Sequence, residues 1–155
     1  MAVPFSPFEP KVSFRYALLI DGITAFTCKA AGMPDLDQGE IVIDYKNVEF
    51  KVKGKSRWQN IDVTLYDPVE PSAAREVHTW IEEHHNSETG IDGYAFQQYK
   101  KDISIQALDP ALVPVETWDI YGAYVQNSNW GDMDWSSEEA KELSLTINYD
   151  YAVLR

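Results

Sequence analysis

The strongest constraint on the fold is the spacing of apolar residues from Glu40 to Tyr66. Ile41, Ile43 and Tyr45 alternate with polar neighbours, the alternation changes phase to Val48, Phe50 and Val52, and it resumes after Lys53-Gly54-Lys55-Ser56 as Ile61, Val63 and Leu65. A period of two places successive side chains on opposite faces of a β-strand, so this stretch predicts half-buried strands rather than a helix. A change of phase reverses the faces and requires a turn or bulge near Lys46-Asn47. The prediction is a long protruding β-hairpin over about 40–66.

Charge marks the same stretch. Lys46, Lys51, Lys53, Lys55 and Arg57 against the single acid Glu49 make Lys46–Arg57 basic in a chain of net charge −12, whereas residues 59–155 hold eighteen acids and five bases. Two readings follow. Lysines on an exposed edge block strand-to-strand aggregation, or a basic arm docks on the acidic surface of another copy, closing into a ring or extending as a filament. The acidic balance argues against binding nucleic acid through phosphate contacts.

Val12–Ile20 and Ile23–Lys29 alternate on either side of Asp21-Gly22 and predict a hairpin, followed by an irregular connection over Ala30–Gly39. Ser72–His85 switches to helical spacing, with Ala73, Val77, Trp80, Ile81 and His84 on one face and Ser72 as a cap. Lys101–Leu108, Val115–Tyr121, Tyr124–Trp130 and Leu143–Tyr151 read as further strands, and Asn86–Asp92 and Gly131–Lys141 as loops. Strands and helices do not alternate, so the sheet is expected to be antiparallel. The predicted fold is mainly β (α+β): an antiparallel β-sandwich or rolled sheet in a single domain over 1–155, with one flanking helix at about 72–85. Residues 1–12 carry Pro4, Pro7 and Pro10 and are expected to form an extended arm whose Phe5 and Phe8 need cover, a neighbouring chain being one candidate. Neither a secretory leader nor a membrane-spanning segment is expected.

Chemistry is sparse. Cys28 is the sole cysteine, which leaves no internal disulfide framework, fits a reducing compartment, and predicts a small buried residue in a strand. His78, His84 and His85 share one helix, where Glu82 with His78 and His85 forms a conceivable metal set, weighed against a merely polar helix end. Asp119, Asp132 and Asp134 lie near Trp118, Trp130 and Trp135, the ingredients of a carboxylate pair or a sugar platform. The sequence lacks a nucleophile elbow, a phosphate loop and a dinucleotide fingerprint. No catalytic residue, metal or cofactor is predicted, and the alternative function is a non-catalytic carbohydrate-binding β-sandwich.

Four segments in their order and spacing, FTCKAAGMP (26–34), FKVKGKSRWQNIDVTLYDP (50–68), VETWDIYGAYVQNSNWGDMDW (115–135) and LSLTINYDY (143–151), resemble the tail tube proteins of contractile-tailed bacteriophages and related injection machines. The resemblance implies homohexameric rings stacked into the inner tube of a virion tail, a conduit for DNA or effector assembled in the bacterial host cytoplasm. It implies tail sheath, baseplate, tail terminator and tape measure proteins as partners, transiting DNA in an acidic lumen, and no membrane. Contacts between subunits are then expected at Phe5, Phe8, Lys46, Val48, Phe50, Lys51, Lys53, Lys55, Arg57 and Trp58, and reversing Lys51, Lys53 and Lys55 to Glu is expected to weaken assembly.

Overall fold

The computed structural model describes residues 6–93 and 99–155. The first five strands are β1 Tyr16–Ile20, β2 Cys28–Ala31, β3 Asp35–Tyr45, β4 Val48–Gln59 and β5 Ile61–Tyr66, with a single 3₁₀ turn at Ala25–Thr27. After helix α1, Ala73–His84, come β6 His85–Asn86, β7 Ile91–Asp92, β8 Lys101–Leu108, β9 Pro114–Asn129, β10 Glu142–Asn148 and β11 Tyr151–Leu154. Seven strands form one antiparallel sheet in the order β1-β8-β9-β10-β5-β2, with β11 beside β9.

The sheet folds over on β9. The first half of this 16-residue strand pairs with β8 and β11, and its second half, from Tyr124, pairs with β10. Gly122, at φ +69°, lies between the halves, a conformation that only glycine adopts without strain. The fold brings Ile103, Ile105 and Ile120 into one buried cluster with Val63, Leu65, Leu145 and Ile147, all at 2% exposure or less.

Helix α1 completes that core with Ala73, Val77 and Trp80. Its start is capped as predicted, the Ser72 hydroxyl accepting from the Arg75 amide at 3.3 Å. Asp67, just past β5, accepts from the Ala74 amide, and Glu76 accepts from both the amide and hydroxyl of Thr24. Trp80 Nε1 donates to the Tyr99 carbonyl at 2.7 Å, so burying the indole strands no donor.

Several expectations need correction. The protruding hairpin is β3–β4, spanning 35–59, and β5 belongs to the main sheet. The predicted irregular connection 30–39 is instead the end of β2 and the start of β3. β1 and β2 do not form a hairpin: they end opposite margins of the sheet order, and the turn after β1 makes only an isolated bridge between Ile20 and Ile23 among the described residues. Alternation identifies a strand but not its partner, and β8 and β5 offer longer ladders than the tight turn does. Residues predicted as two strands, 115–121 and 124–130, form one bent strand, whereas 143–151 splits into β10 and β11 on the two halves of β9. The predicted loop 86–92 contains a minimal β6–β7 pair.

Candidate assembly surface

The phase change at Lys46-Asn47 is the hairpin turn itself, with Tyr45 directly opposite Val48 and Lys46 at φ 54°. Ile41 faces Val52, Ile43 faces Phe50 and Tyr45 faces Val48, so six apolar residues share one face. Five of these six are 49–71% exposed, and Val52 is half-buried.

A second irregularity decides where that face points. Side chains alternate along β3 without interruption, so Leu36, Gln38, Glu40, Val42 and Asp44 lie on the face opposite to Ile41, Ile43 and Tyr45. On β4 an extra residue intervenes, because Gln38 pairs with Ser56 whereas Glu40 pairs with Lys53. This bulge puts Trp58 across from Leu36, on the face away from Val48, Phe50 and Val52. Two glycines permit the close approach: a Cβ on Gly54 would lie 2.8 Å from the carbonyl carbon of Gly39. Trp58 packs against the core with its ring 6.1 Å from that of Tyr149. The hairpin base therefore meets its own body through one face, and the tip turns its apolar face the other way.

The charge reading changes with the register. Across 35–59, Asp35, Asp37, Glu40, Asp44 and Glu49 balance Lys46, Lys51, Lys53, Lys55 and Arg57, with Glu40 opposite Lys53 and Asp37 opposite Arg57. The basic strand is neutralised by its neighbour, and the feature left for a partner is apolar. Among the other residues predicted to make contacts, Phe8 is 77% exposed and Phe5 lies outside the described residues.

A feature that sequence reasoning missed lies between the two ends of the main sheet. β1 and β2 border a groove of about 690 Å³ lined by Tyr16, Leu18, Cys28 and Ala30, with Phe14 and Phe26 exposed at its margins (74% and 73%). In place of a backbone ladder, the Tyr16 hydroxyl spans the seam and donates to the Lys29 carbonyl at 2.8 Å. Burial, reinforced by the contact with Cys28, pushes the Tyr16 phenol up to about 12. Burial likewise raises the Cys28 thiol, so this residue is a packing group and not an activated nucleophile. Only pairing partners, which alternation does not encode, reveal the seam.

The remaining candidates are dispersed. His78 sits 3.5 Å from Glu82, while His85 bonds Asp92 instead. His84 packs between the rings of Tyr99 and Tyr124, its Nδ1 buried without a partner among the described residues. Asp119 accepts from Arg155 and Ser104, and Asp134 from Ser136. Trp118 and Trp130 pack against the core and Trp135 is fully exposed, so the three form no common sugar platform.

The chain is thus a β-rich domain with an uncovered amphipathic hairpin and a groove between the two ends of its sheet order. The chain is a member of the T4-like virus tail tube protein gp19 family, whose model matches residues 12–153. It is 22% identical over 116 residues to the tail tube protein of Serratia phage KSP90, a match covering 74% of this chain and 66% of that one. In fold it is similar to a chain of the sheath–tube complex of the extracellular contractile injection system PVC in its extended state (TM-score 0.75, 20% identity, 94% of this chain and 91% of that one). It is also similar to a chain of the anti-feeding prophage tube-terminating cap (TM-score 0.78, 19% identity, 100% and 99%). The mainly β fold and the tail tube resemblance read from the sequence are borne out, and the role shared with the family is structural.

Proposed function

We propose that this chain, as a single tail-tube-like domain, forms homohexameric rings that stack into the inner tube of a contractile tail, a conduit for DNA or an effector entering a bacterial host. The observation that carries the reading is the hairpin, whose apolar face is turned from its own body and left to water. Such a face is a liability in a monomer and an interface in an assembly. Lys46, Val48, Phe50, Lys51, Lys53, Lys55, Arg57 and Trp58 belong to this hairpin and, with Phe5 and Phe8, are the proposed subunit contacts. The lumen is lined by the outer face of β5, β10 and the end of β9, where Asp62, Thr64, Asn127, Asn129, Ser144 and Thr146 present small polar groups, with Tyr66 opposite Glu142 at one end. The chain charge of −12 repels a passing polyanion, and the named lining residues include no base to hold it.

The role requires no catalysis. Sheath, baseplate, terminator and tape measure proteins are the expected partners in a phage tail or related machine assembled in the host cytoplasm. Electron microscopy of the purified protein tests the reading: rings or tubes are expected, and a persistent monomer by sedimentation at every salt and protein concentration would overturn it.

A further inference from the structure

We propose that the turn between β8 and β9 inserts Leu112 and Val113 into a pocket between helix α1 and Trp130 of a second copy of this chain. The proposal rests on the tube reading and adds to it a contact in which the hairpin takes no part. From Pro110 to Val115 the chain runs through six exposed apolar residues, with Leu112, Val113 and Val115 at 67%, 55% and 52%. Turns are ordinarily polar, and an exposed apolar run of this length is a defect unless a partner covers it. The turn is also braced. The Asp109 carboxylate accepts from the Ala111 and Val113 amides at 2.9 and 2.8 Å, and the Leu112 amide donates to the Asp109 carbonyl at 2.9 Å. This bracing holds Leu112 at φ 64°, where a branched side chain is strained and glycine is not. Within the monomer little packing offsets that strain, because the leucine stands mostly in water.

The receiving site is a pocket of about 400 Å³ lined by Ala74, Arg75, His78 and Thr79 of α1 and by Trp130. The indole and the Ala74 methyl give it apolar walls, and the His78 ring stands 6.3 Å from that of Trp130. Charge matches as well as shape. Arg75 makes no ion pair among the described residues, and the Asp109 carboxylate meets backbone amides but no cation there. A docked turn brings these two unpaired groups to one interface. Turn and pocket flank the two ends of β9, and the chain's own turn leaves Leu112 in water rather than in its own pocket. Two different surfaces then meet, so the contact is head-to-tail: each copy offers both halves, and the contact closes a ring or continues a stack.

The test mixes two single-cysteine variants in a Cys28→Ala background, one with Val113→Cys and one with Thr79→Cys, assembles them and oxidises the thiols. Both positions are exposed, so folding is not in question. A covalent dimer of the two different chains is expected on a non-reducing gel, and none when Leu19→Cys, at an exposed position on β1, replaces Thr79→Cys. Tubes visible by microscopy without a cross-link between positions 113 and 79, or equal cross-linking at position 19, would overturn the contact while leaving the tube reading intact. Absence of any ring or tube from the unsubstituted protein would overturn both. As a second readout, Leu112→Gly relieves the backbone strain, so it is expected to weaken assembly without lowering the urea midpoint of the monomer. A Leu112→Gly variant that assembles normally, or a lowered midpoint showing that the leucine packs within its own chain, counts against the contact.

Discussion

At Gly122 the backbone has a positive φ, and an added Cβ would lie 2.1 Å from Asp150 Oδ2. Gly122→Ala is therefore expected to destabilise the monomer by about 1–3 kcal/mol, read as a lower urea midpoint. Leu65, fully buried between β2 and β10, illustrates the ordinary core: Leu65→Ala is expected to cost about 2–5 kcal/mol in the same measurement. Tyr16 adds a pH dependence. Its folded pKa of about 12 lies above the ordinary 10, so its contribution is fully present below pH 10 and is lost as pH rises from there towards 12. Thermal melts of the monomer should show a steeper alkaline decline than those of Tyr16→Phe, and identical profiles would refute the role given to this phenol.

Among the elements, α1 was the most legible, because apolar spacing, cap and length agree locally. Its Ser72 cap bond predicts a loss of about 1 kcal/mol for Ser72→Ala. The hairpin was half legible. Phase marked its turn, but its base and its facing depend on the bulge at Lys53–Ser56, which arises only when the two strands are paired. Val48→Asp combined with Phe50→Asp is expected to leave the circular dichroism of the monomer unchanged and to abolish assembly, since both residues are exposed before association. The triple reversal of Lys51, Lys53 and Lys55 is still expected to weaken assembly, now because Glu at 53 would face Glu40 across the ladder.

For the whole molecule, the proposed tube has a neutral hairpin with an apolar face joining subunits that each carry a charge of −12. Salt screens the repulsion between bodies and leaves apolar burial intact, so raising ionic strength is expected to favour assembly in sedimentation, whereas charge-steered docking predicts the reverse. The sequence by itself determined the strand-rich class, the antiparallel order, the helix and the hairpin turn, because alternation, helical spacing and capping are properties of neighbouring residues. Only the tertiary structure decided that β1 and β2 part company, that β9 serves both halves of the sheet, and that the hairpin turns its apolar face outward. Those outcomes depend on which strands pair and in what register, a choice between ladders distant in the chain that no local period records.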